Sequence, residues 1–232
     1  MVAATESPSR PVVLVTGASR GIGRAIAEEL GRTHHVVVGG RDADAVAAVV
    51  AALPSAEPFV GDLTGETLPP LPDRLDVIVL SAGVEDGGTI ADTDDATWRR
   101  VFEVNVFSIA ALLRRALPAL RSAQGLVVAI NSGSGLASGA GGGVYSGSKF
   151  ALRALTDALR EEERPNGVRV TSIHPGRVDT DMQRALVARE GHAYDPAYAI
   201  TPEMVAATVR VAVDLPPTGA IESLTVRPMR RR

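Results

Sequence analysis

The residue pair best suited to chemistry in this sequence is Tyr145 and Lys149, in the stretch YSGSK at residues 145–149. A spacing of four residues places two side chains on the same face of a helix. A tyrosine hydroxyl has a pKa of about 10, too high for a base at neutral pH, and a neighbouring ammonium stabilises the phenolate and lowers that pKa. Lys149 is the only lysine among the 24 basic residues of the chain. The pair therefore predicts acid–base chemistry.

A second feature is the glycine-rich stretch TGASRGIG at residues 16–23, between a β-branched apolar run and an amphipathic stretch. Glycines let a backbone approach a pyrophosphate closely, and a helix N-terminus supplies free N–H groups and positive dipole. The spacing is G-x-x-x-G-x-G, and its placement between a strand and a helix predicts a dinucleotide site. The residues assigned to this site are Thr16, Gly17, Ser19, Arg20, Gly21, Ile22 and Gly23.

The end of the predicted second strand reads Gly39-Gly40-Arg41. An NAD enzyme places a carboxylate near this point to bind the ribose 2′-hydroxyl. Gly40 provides none, whereas Arg41 can hold a 2′-phosphate with a fork of hydrogen bonds, and Arg20 can add a second charge. We therefore expect NADP(H) rather than NAD(H), with Asp42 pointing elsewhere; the alternative is that Arg41 is only a surface residue.

Short apolar runs alternate with amphipathic stretches along the chain, which predicts βαβ units and an α/β fold. We expect a doubly wound Rossmann fold, with about seven parallel strands and helices on both faces. Residues 11–232 are predicted to form one domain and residues 1–10 a mobile leader. The predicted strands are 11–15, 35–38, 57–60, 75–80, 126–130, 168–173 and 221–226, and the predicted helices are 23–30, 44–53, 95–115, 145–163 and 202–213.

Composition excludes several classes of protein. The chain has no cysteine, which removes disulfides and thiolate sites and fits a cytoplasmic protein. A net charge of -3 gives no reason to expect nucleic acid or a membrane surface as a partner, and no apolar run is long enough to span a bilayer. The four histidines lack metal-ligand spacing, so we expect no metal, and His34 and His35 are predicted to be exposed. Residues 230–232 are predicted to form a solvated tail.

Four stretches together resemble the short-chain dehydrogenase/reductase family in its single-domain form: TGASRGIG, Ser132 thirteen residues before Tyr145, YSGSK, and PGRVDT at residues 175–180. The resemblance covers nearly the whole chain. It implies an oxidoreductase that transfers a hydride between NADP(H) and a carbonyl or secondary alcohol. Ser134 is a competing hydroxyl, but the family spacing favours Ser132.

The resemblance also implies a role for each matching residue. Tyr145 gives or takes the proton at the substrate oxygen, and Ser132 donates a hydrogen bond to that oxygen. Lys149 binds the nicotinamide ribose and lowers the pKa of Tyr145. Asn105, in EVNV at residues 103–106, holds a helix irregularity and a water that links Lys149 to solvent. The remaining cofactor contacts implied are Asp62 and Leu63 at the adenine, Ser81, Ala82 and Gly83 beside the adenosine ribose, and Pro175, Gly176, Val178 and Thr180 at the nicotinamide or phosphates.

The chain departs from the family pattern in three places. Ser81 stands where the family has asparagine, which puts one hydrogen-bond pattern near the fourth strand in doubt. Only a short, proline-rich stretch separates Asp62 from Gly83, so the third helix should be reduced to a turn or lost. The Asp-Gly-Gly that usually follows the last strand is replaced by Val226, Arg227, Pro228 and Met229.

Two rival functions remain open. One is reduction of 3-oxoacyl groups on an acidic acyl carrier, which Arg177, Arg184 and Arg189 near the substrate lid would meet. The other is a nucleotide-sensing regulator without catalysis, although such proteins lack the Tyr or Lys. Tyr194 and Tyr198 either line the substrate pocket or pack the lid.

Two helices carry more apolar residues than one core-facing stripe needs, and in relatives they pair across a two-fold axis. We therefore expect at least a homodimer, whereas the altered C-terminus puts a homotetramer in doubt. The apolar residues are Val101, Val104, Ile109, Leu112 and Leu113 on the first helix, and Phe150, Leu152, Leu155 and Leu159 on the second.

Overall fold

The structure is a computed structural model that describes residues 10–65 and 67–230. Arg10 donates a hydrogen bond to the Gly31 carbonyl at 3.2 Å. The remainder of the expected leader, residues 1–9, and the last two residues of the arginine tail lie outside the described residues.

The described residues form a seven-stranded sheet in the order β3-β2-β1-β4-β5-β6-β7. Every neighbouring pair of strands is parallel. The chain builds outward from β1 in both directions, which makes the junction of β1 and β4 a switch point where ligands bind. The strands are β1 (Val12–Val15), β2 (His35–Gly40), β3 (Ala56–Val60), β4 (Val77–Leu80), β5 (Leu126–Ile130), β6 (Arg169–Pro175) and β7 (Ser223–Val226).

The helices cover both faces of this sheet, which confirms the predicted doubly wound fold. Side chains alternate along β1: Val13 and Val15 pack with α1, α2 and α7, and Val12 and Leu14 pack with α4 and α5. Both sets are buried because the strand has helices on each side. The helices are α1 (Gly21–Leu30), α2 (Ala43–Ala52), α3 (Asp95–Phe102), α4 (Ser108–Ala123), α5 (Gly143–Glu163), α6 (Asp181–Arg189) and α7 (Pro202–Val213).

The helix predicted over residues 95–115 differs from the observed one. It is interrupted by a π-helical turn, Glu103–Phe107, which joins α3 to α4. It also extends beyond the predicted end, because Pro118 lies inside α4 without terminating it. Helix α6 is not among the helices predicted from periodicity; Thr180 caps it by accepting a hydrogen bond from the Gln183 N–H at 3.3 Å.

The connection between β3 and β4 contains no helix in residues 61–65 and 67–76, in agreement with the expected loss. Its proline content explains this, since proline lacks the N–H that a helix interior needs. Leu63, Leu68 and Leu71 instead pack against the core on the α4 and α5 side. The irregular segment therefore covers the sheet where a helix would otherwise lie.

The expected exposure of His34 is wrong, since its residue exposure is only 7%. Arg210 of α7 reaches across this turn and donates hydrogen bonds to the Glu29 carbonyl at 2.6 Å and to Thr33 Oγ1 at 2.9 Å. His34 Nδ1 lies 2.8 Å from Thr33 Oγ1, and burial lowers the pKa of the His34 ring. His35 Nδ1 lies 2.8 Å from Ser55 Oγ. The turn is thus packed beneath α7.

The apolar residues cited for a dimer are mostly buried inside the protomer. The sheet already covers Val101, Ile109, Leu112, Leu113, Leu152 and Leu159, while Leu155 is partly buried against the same core. Val104 borders the cleft described below. Phe107 and Phe150 remain outside, 55% and 42% exposed. The apolar surface available to a partner is therefore smaller than the sequence pattern indicated.

Across the described part of the chain, none of the helices is long and apolar enough to cross a membrane. The same residues contain no group of three or more histidine, aspartate or glutamate side chains arranged to hold a metal ion.

Candidate active site

The loop between β1 and α1 is shaped by glycine and by Thr16. Gly17 and Gly21 have φ values of +64° and +54°, which other residues rarely adopt. A Cβ on Gly23 would lie 2.2 Å from the Gly17 carbonyl oxygen, so only glycine fits there. Thr16 Oγ1 accepts hydrogen bonds from Ser81 N at 3.0 Å and Ala82 N at 3.1 Å. These bonds use only the backbone at residue 81, so serine there leaves the junction with β4 intact.

A cleft of about 830 Å³ runs along the carboxyl edge of β1, β2 and β4. The structure brings together on its walls most of the residues predicted for the cofactor: Thr16, Gly17, Ser19, Arg20, Gly21, Ile22, Gly23, Arg41, Asp62, Leu63, Ser81, Ala82, Gly83 and Thr180. Glu85, Arg100 and Met182 also line the cleft and were not predicted. Glu85 lies two residues after Gly83, and this closeness to a predicted cofactor residue was the one signal for it in the sequence. The position of Met182 depends on α6, which the sequence pattern did not predict.

Six predicted cofactor residues lie outside the walls of this cleft: Asn105, Tyr145, Lys149, Pro175, Gly176 and Val178. The last three belong to the segment that follows β6. Pro175 is the last residue of β6, and Gly176 N donates to the Val226 carbonyl at 2.8 Å. Val178 is buried and forms an isolated parallel bridge with Ile200. This segment therefore leads the chain from the sheet to Thr180 and α6.

The far end of the cleft carries Arg20 and Arg41 and has little space for an acidic side chain at residue 40. A Cβ on Gly40 would lie 2.6 Å from Val46 Cγ2. Asp42 also lines the cleft, although it was expected to point elsewhere, and its carboxylate accepts hydrogen bonds from the first turn of α2, at 3.1 Å from both Asp44 N and Ala45 N. Arg41 is 69% exposed, with Nη1 3.7 Å from Asp62 Oδ2. Asp62 accepts hydrogen bonds from Thr64 N and Oγ1, which hold the pKa of the Asp62 carboxyl below its usual value.

Lys149 is buried behind Gly83, which lines the cleft. Its Nζ donates to the Ile130 carbonyl at 3.1 Å, and a Cβ on Gly83 would lie 3.8 Å from the same atom. Burial lowers the pKa of Lys149 from 10.5 to about 8. The ammonium therefore sits between the end of β5 and the turn that follows β4.

Tyr145 lies on the same face of α5, with its ring centroid 5.8 Å from Lys149 Nζ. Burial raises the pKa of Tyr145 to about 12, a hydrogen bond with Ser132 opposes the rise, and the nearby Glu85 carboxylate adds to it. The expected lowering by Lys149 is not found: Lys149 is not among the causes of the shift, and its Nζ donates to the Ile130 carbonyl. At neutral pH the hydroxyl of Tyr145 therefore carries its proton.

Asn105 occupies the π-helical turn, which is the helix irregularity expected at this residue. Its side chain bonds twice to Val84: Oδ1 accepts from Val84 N at 2.9 Å and Nδ2 donates to the Val84 carbonyl at 2.8 Å. Asn105 Nδ2 also donates to Ser148 Oγ at 3.0 Å, and Ser148 Oγ donates to the Tyr145 carbonyl at 2.7 Å. The turn thus connects the segment after β4 with the first part of α5.

Ser132 follows β5 and starts a short 3₁₀ turn, Gly133–Gly135. Its Oγ accepts a hydrogen bond from Ser134 N at 3.1 Å, and its N–H donates to Asn131 Oδ1 at 2.9 Å. Sequence reasoning missed His174, whose Nδ1 lies 3.0 Å from the Ser132 carbonyl oxygen. Because a carbonyl only accepts, that nitrogen carries the proton. Ser132, and not Ser134, is close enough to the Tyr145 hydroxyl to lower its pKa by hydrogen bonding, which favours Ser132 over the competing Ser134.

The family model described as short chain dehydrogenase matches residues 11–191, which include the cleft loop, Ser132, Tyr145 and Lys149. The chain belongs to the short-chain dehydrogenase family. Members of this family are oxidoreductases that use nicotinamide cofactors and act on small molecules, and the predicted family is thereby confirmed.

Curated and solved relatives of this short-chain dehydrogenase span its full fold. A serine 3-dehydrogenase from Rhizobium radiobacter is 31% identical, over 94% of this chain and 93% of that protein. An alcohol dehydrogenase from the archaeon Thermococcus sibiricus, solved with 5-hydroxy-NADP, superposes with a TM-score of 0.85 at 25% identity, over 96% of this chain and 98% of that chain. A metagenomic short-chain oxidoreductase solved with NADP gives 0.77 at 30% identity, over 95% and 98%.

In this short-chain dehydrogenase, ion pairs of Arg189 join the segment around α6 to Glu85 and Asp86, and two further pairs lie within the segment. Arg189 pairs with Glu85 and, at 2.9 Å, with Asp86, and Arg100 also pairs with Asp86. Arg177 pairs with Glu190 at 2.8 Å and Arg184 with Asp179 at 2.7 Å. The three arginines considered for an acidic carrier are therefore neutralised within the protein.

The two tyrosines that follow α6 pack the lid. Tyr194 donates to Asp179 at 2.7 Å, and the Arg184 guanidinium lies 5.0 Å from its ring centroid. Tyr198 borders a cavity of only about 10 Å³, together with Arg177 and Gln183. Such a volume holds about one water molecule, so neither ring lines a substrate-sized space there.

Proposed function

We propose that this short-chain dehydrogenase reduces a carbonyl compound to an alcohol with NADPH, and that Tyr145 donates the proton. The observation that carries the proposal is the hydroxyl pair of Tyr145 and Ser132, with Lys149 buried between them and the Gly83 end of the cleft. The bound cofactor supplies the hydride. The residues of the chain bind the cofactor, orient the substrate and protonate the substrate oxygen.

The residues of the cleft fit NADP(H). Gly40 has no space for the carboxylate that binds a ribose 2′-hydroxyl, and the adjacent Arg41 is exposed at the same end. Arg20 lines the same cleft and has no ionic partner among the residues described. Two arginines and no free carboxylate at the binding position favour a 2′-phosphate. The bound NADP compounds in the archaeal and metagenomic relatives agree with this choice.

The proton chemistry follows from the state of Tyr145. With a pKa of about 12, the hydroxyl is protonated at neutral pH and is ready to donate to a substrate carbonyl oxygen. Ser132 supplies a second hydrogen bond to that oxygen and stabilises its developing charge. These two donors supply the proton and the second hydrogen bond that carbonyl reduction needs.

Lys149 and Asn105 support that pair. Lys149 holds the nicotinamide ribose hydroxyls, and its ammonium stabilises the phenolate that remains after Tyr145 gives up its proton. Asn105 fixes the turn that positions the start of α5, and we assign to it the water that links Lys149 to solvent. Thr180, at the start of α6, is assigned to the nicotinamide end of the cleft with Pro175, Gly176 and Val178 beside it.

Reduction of carrier-bound thioesters is the weaker candidate. It required free positive charge on Arg177, Arg184 and Arg189, and all three are paired with carboxylates of this chain. A regulator without catalysis would not need the buried Lys149 or the Tyr145 and Ser132 hydroxyls at one end of the cleft.

The test is oxidation of NADPH with a panel of ketones, aldehydes, quinones and acetoacetyl thioesters. Wild-type protein should reduce at least one free carbonyl compound, and Tyr145→Phe should lower kcat by about a hundredfold to ten-thousandfold, the usual contribution of a general acid. The Kd for NADPH should stay unchanged. Tyr198→Phe is the matched control and should retain activity. A Tyr145→Phe variant with kcat within about tenfold of wild type would remove Tyr145 from the proposal.

A further inference from the structure

We propose that Arg227 binds a carboxylate of the substrate, so that the enzyme prefers oxo acids or hydroxy acids to the corresponding neutral carbonyl compounds. This inference rests on the proposed function, since it places a second substrate contact beside Ser132.

Arg227 lies at the substrate end of the sheet. It follows the last residue of β7, at the carboxyl edge shared with β5 and β6. A Cβ on Gly133, the residue next to Ser132, would lie 3.8 Å from Arg227 Nη2. Residues that follow parallel strands at one edge form the ligand sites of such folds. The guanidinium thus borders the loop that carries the Ser132 hydroxyl.

The backbone at Arg227 is held in place rather than extended into solvent. Gly176 N donates to the Val226 carbonyl at 2.8 Å. A Cβ on Gly176 would lie 2.9 Å from Pro228 Cδ and 3.4 Å from Arg227 Cγ, so the chain packs closely on the turn after β6. This segment replaces the Asp-Gly-Gly of the family pattern, and it introduces a cation at a position where that pattern has none.

The positive charge of Arg227 is uncompensated. Among residues 10–65 and 67–230, this side chain has no hydrogen-bonding or ionic partner. Other arginines at the same end of the molecule are paired with carboxylates of the chain: Arg100, Arg177, Arg184 and Arg189. An exposed guanidinium whose five donors are not used by carboxylates of the described residues is suited to bind a carboxylate in bidentate geometry.

The charged groups on the two sides of Tyr145 differ. On the cleft side, Glu85 lies near enough to raise the pKa of Tyr145, and its carboxylate is paired with Arg189. Because that carboxylate is already paired, the cleft side offers no free charge of either sign from Glu85, whereas Arg227 on the Ser132 side attracts an anionic substrate group. The phosphates of NADP(H) are assigned to the glycine loop, Arg20 and Arg41, at the other end of the cleft, so the cofactor does not use Arg227.

The direct test is ligand binding without turnover. Wild type, Arg227→Met, Arg227→Lys and Arg230→Met are saturated with NADP⁺ and titrated calorimetrically with propanoate, butanoate and hexanoate and with the corresponding amides. Wild type should bind at least one acid more tightly than its amide. Arg227→Met should lower the binding affinity for that acid by about tenfold to a hundredfold, as expected for loss of a charged hydrogen-bond partner. The affinity for the amide should be unchanged.

The controls separate a specific contact from general charge. Arg230→Met removes a neighbouring exposed arginine and should behave as wild type, while Arg227→Lys should retain part of the preference because it keeps the charge without the fork. Unchanged NADP⁺ affinity shows that each variant is folded. The inference is overturned if wild type does not prefer acids to amides, or if Arg227→Met keeps the preference.

A kinetic arm distinguishes this inference from the proposed function. NADPH oxidation is compared with acetoacetate and its methyl ester. Arg227→Met should raise KM for the acid more than it lowers kcat, and leave the ester unaffected. Equal effects on acid and ester, with turnover intact, overturn the carboxylate site and leave carbonyl reduction standing. Acid binding that depends on Arg227, without reduction of any carbonyl compound, supports the site and removes the proposed reaction.

Discussion

The buried ammonium of Lys149 gives a prediction whose size follows from the structure. Burial lowers its pKa from 10.5 to about 8. At about 1.4 kcal/mol for each pH unit, the difference corresponds to about 3 kcal/mol of unfolding free energy. Substitution Lys149→Met keeps the length of the side chain and removes the charge. In the absence of cofactor and at neutral pH, we expect most of this unfavourable contribution to be absent from the variant, so its free energy of unfolding should exceed that of wild type.

The sign follows from the number of protons bound. Between about pH 8 and pH 10.5 the folded protein has lost the Lys149 proton while the unfolded chain still holds it. The free energy of unfolding therefore rises with pH across this interval, and the full cost is present below it. In the folded protein Tyr145, with a pKa of about 12, stays protonated across this interval, and its loss of a proton in the unfolded chain near pH 10 affects wild type and Lys149→Met alike. Lys149→Met should lack this rise, so the two proteins should converge in stability as the pH increases.

Two measurements test the prediction. Because Lys149 is the only lysine, protein labelled with ¹³C-lysine gives one ε-carbon resonance, and its titration midpoint should lie near pH 8. Urea unfolding of wild type and Lys149→Met at about pH 7 and pH 10 should give the converging free energies. A midpoint near 10.5, or two stability curves that run parallel with pH, would refute the reasoning from burial.

Two further predictions concern the cofactor and the assembly. Arg41→Ala should lower the affinity for NADPH by about tenfold to a hundredfold and leave the affinity for NADH unchanged, as measured by fluorescence titration. The control is Arg24→Ala, which replaces an exposed arginine of α1 paired with Glu28. Equal losses of affinity for both cofactors would show that Arg41 does not bind the 2′-phosphate. Light scattering at micromolar concentration should give a particle of twice the chain mass of 24.1 kDa. The double substitution Phe107→Ser and Phe150→Ser should shift the measured mass toward that of the monomer. A wild-type particle of 24.1 kDa would contradict the homodimer.

The fold was predictable because its signals are local. Runs of valine, leucine and isoleucine between amphipathic stretches specify strands that are buried on both faces, as Val13 and Leu14 illustrate on opposite sides of β1. The cofactor cleft was predictable for a related reason, since its residues directly follow strands and therefore meet at one edge. The steric exclusion of an acid at Gly40 by Val46 adds a physical reason to the sequence pattern.

What the sequence missed depends on contacts between distant segments. The burial of His34 comes from Arg210, far away in α7, and the neutralised charge of Arg189 comes from Glu85 and Asp86. The high pKa of Tyr145 results from desolvation, which depends on the packing around the ring and cannot be predicted from the spacing of residues. The approach of Arg227 to Gly133 likewise joins two segments that only the sheet brings together.

Hydride transfer with NADPH deuterated at C4 of the nicotinamide tests the central claim most directly. The alcohol formed by wild type from a carbonyl substrate should carry deuterium at the former carbonyl carbon when one of the two C4 epimers is used, and none when the other is used. Tyr145→Phe should bind the same NADPH and form this product at a rate lower by about a hundredfold or more. NADPH oxidation by wild type without deuterium at that carbon, from either epimer, would contradict the account.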